Sequence, residues 1–296
     1  MEARKTHLDA LAVCTLLTCC VFWGVQQVLV KVTLEEVSPI WQAALRFVVA
    51  TAALMAWMRW RGIPWWQSDG TWRAGLWVGL LFTGEFVCIY VGMQHTTASR
   101  LTIFLYTAPF WVAGLLPFWV KSERMRPLQW AGLVLAFASV GYALGDGLLQ
   151  ATQPEQWLGD VLSLGSGAFW GLTTVAILSS SLARIVPERL LLYQIANCAL
   201  VLPWLAWVAG EPLSLSYSTW AWSSLVVQGV LGGFCSYLVW MYMLGRYPAT
   251  KLSTFAFLTP VFALICGTLW LGEPLTTGLL VGLSGVALGI VLVNRR

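Results

Sequence analysis

The chain has 296 residues, 58% of them hydrophobic and only 10% charged, with a formal net charge of +4. An ordinary soluble domain is about 25% charged, so this composition excludes a water-soluble enzyme or binding module. The basic residues are spread over short polar segments rather than gathered in one patch, which excludes a nucleic-acid partner as well. Apolar runs of about 20 residues recur from end to end, the length of a membrane-crossing helix. They lack the alternating polarity of β-barrel strands. The expected class is an all-α polytopic membrane protein whose surroundings are the lipid bilayer.

Ten spans are predicted, at 9–30, 39–60, 74–95, 99–120, 127–145, 158–180, 188–209, 221–244, 251–271 and 275–293. The first follows MEARKTHLDALAVC, a start that resembles a signal peptide. Its apolar run continues to Val30 without a small-residue cleavage site, so it reads as a span. Connections are short, and neighbouring spans are expected to pack antiparallel. The longest connection, 146–157 (DGLLQATQPEQW), is polar and divides the chain into residues 1–150 and 151–296, five spans each. With the N-terminus in the cytoplasm, every Lys and Arg except Lys31, Arg46 and Arg100 falls at a cytoplasmic end. Both termini are therefore expected on that side of a cell (inner) membrane. Trp57, Trp60, Trp65, Trp66 and Trp72 gather at the second connection, where indoles favour the membrane interface. The seven cysteines all lie in apolar spans without metal-type spacing. They read as small buried hydrophobes, and no disulfide, metal or cofactor is expected.

The two halves repeat one another. Phe22-Trp23-Gly24 in span 1 returns as Phe169-Trp170-Gly171 in span 6, and Pro39 as Pro187. Ala98-Ser99-Arg100-Leu101-Thr102 aligns with Ala249-Thr250-Lys251-Leu252-Ser253. The same register carries Phe104 onto Phe255, Tyr106 onto Phe257 and Pro109 onto Pro260. Glu123 and Gly132 match Glu273 and Gly282. Because each half has an odd number of spans, the second copy must cross the membrane in the opposite sense. Such inverted-topology pairs are a transporter signature, with the substrate site near the midplane between the halves.

These residues carry a family resemblance. The five-plus-five repeat, the aromatic-Trp-Gly of each first span, and ASRLTIFLYTAPFW with its echo ATKLSTFAFLTPVF resemble the drug/metabolite transporter superfamily, in particular its ten-helix EamA-type exporters. The resemblance covers nearly the whole chain. It implies two inverted five-helix repeats around a central cavity, lined by spans 1, 3, 4, 6, 8 and 9, with spans 5 and 10 behind. It also implies export of small metabolites, with amino acids, aromatic ones included, as the leading substrates.

Aromatic residues are the first cavity candidates: Trp23 and Trp170 at matching positions, Tyr106 and Phe257 likewise, with Tyr90, Tyr237 and Trp240. They suit an apolar side chain or the face of a cation, or equally plain packing. Gln27 and Thr174 add uncharged hydrogen-bonding groups, alongside Gln26, Thr173 and Asn197. Arg46 and Glu85 are charged and deep, where an unpaired charge is costly. Their similar depth allows an ion pair that either fixes spans 2 and 3 or serves transport. In the repeat Arg46 maps onto Gln194 and Glu85 onto Ser236, an asymmetry suited to orienting a zwitterion. Pro109 and Pro260 lie mid-span and read as static kinks or as hinges. Gly278, Gly282, Gly285 and Gly289 form a small-residue stripe in span 10 that suits packing within a monomer, or a dimer contact.

Other classes fit poorly. Residues 282–285, GLSG, imitate an intramembrane serine protease, but His7 and His95 both lie outside the later spans where a base is needed. There is no P-loop. A channel is the remaining alternative to a carrier. Among carriers, a lipophilic-cation or multidrug exporter is the second reading, with Glu85 as its carboxylate. A phosphorylated substrate would want more cavity cations than Arg46.

Overall fold

The computed structural model describes residues 8–96, 101, 104–143, 155–214, 216–271 and 277–294. Arg4, Lys5, His7, Ala98, Ser99, Arg100, Thr102, Glu273, Arg295, Arg296 and most of the midpoint connection lie outside them. Among the described residues every regular element is helical. They are α1 (Ala10–Thr33), α2 (Pro39–Trp60), α3 (Trp72–His95), α4 (Ala108–Leu115), α5 (Pro127–Ala143), α6 (Gln156–Leu178), α7 (Pro187–Val208), α8 (Thr219–Arg246), α9 (Ala249–Phe255), α10 (Leu258–Leu271) and α11 (Thr277–Asn294). Among these residues six helices, α1, α2, α3, α6, α7 and α8, are long and apolar enough to cross a membrane. Where a predicted span falls on one helix, the two agree within about a turn.

Local chemistry sets the helix ends. Asp9 caps α1 by accepting from the Ala12 N–H at 2.9 Å. Ser218 caps α8 through the Ala221 N–H at 3.1 Å. Pro39 and Pro187 open α2 and α7, at the position where a missing N–H costs nothing. Both helices then end alike, on Gly62 (φ 67°) and Gly210 (φ 71°) in the left-handed region that glycine tolerates. The next N–H in each case returns to the last turn, Ile63 to Met58 at 2.8 Å and Glu211 to Ala206 at 3.0 Å.

Spans 4 and 9 are not continuous helices. Tyr106-Thr107 and Ala256-Phe257 interrupt them, with tightened bonds from Thr107 N to Phe104 O (3.2 Å) and from Phe257 N to Thr254 O (3.3 Å). This corrects the reading of Pro109 and Pro260 as kinks inside unbroken helices. Each stands in the first turn of the helix that follows, α4 or α10, where proline is tolerated. The Ala256 carbonyl, four residues before Pro260 and so without an N–H from it, accepts from Thr259 N at 2.9 Å. A third irregularity is a π-helical stretch, Gln228–Ser236, inside α8. Its glycines admit neighbours: a Cβ on Gly229 would meet the Arg46 carbonyl oxygen at 2.8 Å.

The packing joins the first half of the chain to the second. α3 lies along α6, α2 along α7 and α8, α1 along α10, and α4 along α6. α5 and α11 pair with each other and meet the rest mainly through α9 and α10. Gly285 and Gly289 of the span 10 stripe are used in that pair. A Cβ on Gly289 would lie 2.6 Å from the Gly132 oxygen, and one on Gly285 would run into Ser139. The core between α2 and α7 is fully dry, with Phe47, Leu54, Met58, Leu191, Cys198 and Leu202 at 0% exposure. Trp60, Trp65, Trp66 and Trp72 are exposed at the α2–α3 connection, as interfacial indoles should be.

Loops cross between halves and cap helices. Glu211, beyond α7, accepts from the Ile40 and Trp41 N–H groups that open α2, at 2.9 and 3.1 Å. The loop beyond α2 answers at the start of α7, where Arg189 contacts Gln67 and Asp69. The Thr71 hydroxyl and N–H bond Asp69 at 2.6 and 3.1 Å. These bonds, and Arg189 beside it, hold the Asp69 carboxyl at about 2. A depressed carboxylate stabilises the fold above its ordinary value near 3.8, and that contribution is lost as pH falls through about 2. Hydrogen–deuterium exchange over residues 61–71, corrected for intrinsic rates, is therefore expected to stay protected at pH 4. It should rise in Asp69→Asn at neutral pH; equal exchange in variant and wild type would refute the staple.

Candidate functional site

A cavity lies between the halves, with about 990 Å³ of unoccupied space counting the part that opens outward. Trp23, Gln27, Tyr90, Tyr106, Trp170, Thr174, Tyr237 and Trp240, all expected from the sequence, line it, and so do Arg46 and Glu85. Phe257 does not. It is fully buried behind Tyr106, with ring centroids 6.4 Å apart, and rests on Phe137 at 6.2 Å. The list of lining spans also needs correction. Among the described side chains α9 and α10 supply no lining residue, whereas α2 and α7 supply one each, Arg46 and Gln194.

The two repeated indoles face the same space. Trp240 stands between them, 5.7 Å from Trp23 and 6.3 Å from Trp170. Tyr237 and Tyr106 extend the row, at 6.4 Å from Trp23 and 5.8 Å from Trp170. Trp23 is fixed by its Nε1–H, which donates to Ser236 Oγ at 2.9 Å. The glycine after each indole lets the broken helices approach. A Cβ on Gly24 would meet Phe262 Cβ at 2.9 Å, and one on Gly171 would meet Trp111 Cβ at 2.4 Å.

Arg46 and Glu85 do not form the direct ion pair expected from their depth. The Arg46 guanidinium is held by aromatic faces, 5.0 Å from the Phe47 centroid, 5.3 Å from Phe86 and 6.0 Å from Tyr237. One terminal nitrogen donates to the Tyr237 hydroxyl at 3.2 Å. That cage keeps the cation away from the carboxylate. Arg46 is 2% exposed and Glu85 7%.

Several buried polar atoms on the cavity wall have no hydrogen-bonding partner: Arg46 Nε, Glu85 Oε2, Tyr90 OH, Gln26 Oε1, Thr173 Oγ1 and Gln194 Oε1. Buried polar groups are normally paired, so a lining of this kind is made for something polar that enters. Thr174 is less available than expected, because its hydroxyl turns back to the Trp170 carbonyl at 3.2 Å. Thr173 takes its place. The lining residues missed in the sequence include Phe82, Phe86, Ile89 and Met93 of α3. Their three- and four-residue spacing, in step with Tyr90, was the available signal.

His95 Nδ1 lies 3.3 Å from Glu155 Oε2.

The chain belongs to the EamA-like transporter family, whose model matches residues 10–144 and again residues 157–295. An uncharacterized transporter of Archaeoglobus fulgidus is 29% identical over 270 residues, covering 88% of this chain and 87% of its own. The uncharacterized transporter sll0355 of Synechocystis is 25% identical over 99% of this chain and 92% of its own. The uncharacterized inner membrane transporter YedA of Escherichia coli is 22% identical over 93% of this chain and 87% of its own. A crystal structure with 19% sequence identity superposes with a TM-score of 0.79, covering 94% of this chain and 96% of that one. The protein is thus a multi-pass membrane transporter and not an enzyme.

Proposed function

We propose that this protein is a secondary transporter that exports small amphipathic metabolites, amino acids first, across the cell inner membrane by alternating access. The halves that exchange roles are residues 1–150 and 151–296, inverted relative to one another in a ten-span arrangement with both termini cytoplasmic.

The observation that carries this reading is the pairing of the cavity wall. Trp23 faces Trp170 in the repeat, Gln26 Thr173, Gln27 Thr174, Val30 Ile177, Arg46 Gln194, Phe86 Tyr237, Ile89 Trp240, Tyr90 Met241 and Met93 Leu244, and both members of every pair line the cavity. A cavity built on repeat-related positions lies on the axis that would relate inverted halves. The double match of the family model supports the same duplication, as do the matching contacts at the starts of α2 and α7, each made with the loop beyond the other helix.

The lining residues without a lining counterpart are Phe82, Glu85, Leu101, Leu105 and Tyr106, all in the first half. In the opposite state the counterparts Gly233, Ser236, Leu252, Ala256 and Phe257 take over. Phe257 is then a cavity residue of that state, and the interruptions beside Pro109 and Pro260 are the hinges. Amino acids are the class implied by the motif resemblance to the bacterial amino-acid exporter YddG. The aromatic row with few charges fits them.

The test is flux into liposomes containing the purified protein, for a panel of amino acids and lipophilic cations, with and without a proton gradient. Saturable, slow amino-acid flux is expected. Fast, non-saturating conduction would instead mark a channel, and saturable flux of cations alone a multidrug exporter.

A further inference from the structure

Two opposite charges share this cavity without touching, and each keeps an unused polar atom. The Arg46 Nε–H and one Glu85 carboxylate oxygen have no partner. Burying two ions is repaid only when they pair closely and satisfy their hydrogen bonds. Here the aromatic cage of Phe47, Phe86 and Tyr237 holds the cation apart, so that repayment is missing. The Tyr90 hydroxyl lies on the same guanidinium without a geometrically complete hydrogen bond to it.

The fold does not require these charges. At the repeat-related positions the second half carries neutral Gln194 and Ser236. Gln194 is fully buried with Nε2 on the Leu190 carbonyl at 3.4 Å, and Ser236 bonds the Gly232 carbonyl at 2.7 Å. The repeat-related helices α7 and α8 therefore pack with uncharged residues there. A pair of charges that packing does not need, held apart in a cavity that opens outward, is arranged for a third body.

We propose that Arg46 and Glu85 are a split charge pair that reads the two ends of an amino-acid zwitterion. The substrate carboxylate lies on the Arg46–Tyr90 side and its ammonium on Glu85, with the apolar side chain on the row of Trp23, Trp240 and Trp170. This rests on the transporter reading and sharpens it. A lipophilic cation meets Arg46 as a like charge, and an organic anion meets Glu85, so either alone is disfavoured. Only a molecule bearing both charges satisfies both residues.

The test begins with the ligand and needs no variant. Binding to the purified wild-type protein is measured by calorimetry for phenylalanine and for leucine. Each is compared with its decarboxylated amine (phenethylamine, isopentylamine) and its deaminated acid (3-phenylpropanoate, 4-methylpentanoate). Loss of either charge is expected to weaken binding by at least about tenfold, because it strands a buried polar group of the site. Arg46→Gln should then bring the amine to within about threefold of the amino acid while leaving the acid weak, and Glu85→Gln should do the reverse. Arg46→Lys, which keeps the charge, should keep the wild-type ranking. If a variant does not fold, the wild-type ranking decides alone.

The proposal is overturned if neither amino acid binds. It is overturned too if an amine or tetraphenylphosphonium binds as well as the amino acid, or if folded Arg46→Gln and Glu85→Gln keep the wild-type ranking. Saturable amino-acid flux in liposomes alongside such a result would leave the transporter reading standing and remove only the split pair. Absence of flux for every amino acid would remove both.

Discussion

Alanine at Gly24 or Gly171 is expected to destabilise the protein by about 2–3 kcal/mol, and leucine at either site to leave no folded transporter. A Cβ at Gly24 would stand 2.8 Å from the Ala263 backbone nitrogen, and one at Gly171 2.4 Å from Trp111 Cβ. Neither neighbour can swing away: one is main chain, and the other is the fixed first atom of a side chain. Overpacking of this kind costs roughly 1–3 kcal/mol per site. For a chain of this size that corresponds to a fall in melting temperature of roughly 3–5 °C. Gly141 is the control. It lies in helix α5 with open space where a Cβ would go, so Gly141→Ala should be neutral or slightly stabilising. Thermal unfolding of the three alanine variants in one detergent decides the matter. Equal midpoints would refute the close contact of the Phe-Trp-Gly helices with the broken spans.

The second large effect is expected at Glu123. Its carboxylate is 2% exposed and accepts from the Ala249 N–H at 3.0 Å, the Thr250 N–H at 3.2 Å and the Thr250 hydroxyl at 2.8 Å. It thereby caps the first turn of α9 from the other half of the chain. Glu123→Ala strands those donors, each worth about 1–3 kcal/mol when buried and unpaired, and should cost about 3 kcal/mol or more. Glu123→Gln keeps one acceptor oxygen and should cost about half as much. The same corner is pinned from α1, where the Tyr247 hydroxyl donates to Asp9 at 2.9 Å. Glu123→Gln and Tyr247→Phe should therefore be non-additive in a double-mutant cycle. Strict additivity in thermal unfolding would show that the two contacts hold separate structures.

Much of the architecture was legible before any coordinates. Apolar length and turn residues are one-dimensional patterns, so the predicted spans over α1, α2, α3, α6, α7 and α8 needed only small adjustments at their ends. The repeat was legible for the same reason. Aligning Trp23 with Trp170 and Arg46 with Gln194 identified pairs that the fold brings to one cavity. Interior prolines were harder to read. Pro109 and Pro260 look the same in sequence whether they kink a helix or open a new one. The choice was made by the tightened turns just before them and by the neighbours around the freed carbonyls: Cys20 donates to the Phe255 oxygen at 3.4 Å, and Gly167 makes room for the Leu105 oxygen.

By itself the sequence determined that this chain is helical, built for a membrane, duplicated, and equipped with aromatic residues and two deep charges in its centre. Composition, length and periodicity suffice for that, because the bilayer penalises every alternative backbone. Only the tertiary structure decided how those groups meet. It turned both indoles onto Trp240, set Phe257 behind Tyr106, and drew Arg46 into a ring of aromatic faces, leaving Glu85 without its expected partner. Such choices depend on separations of a few ångströms between side chains far apart in the chain, and depth along a helix carries no record of them.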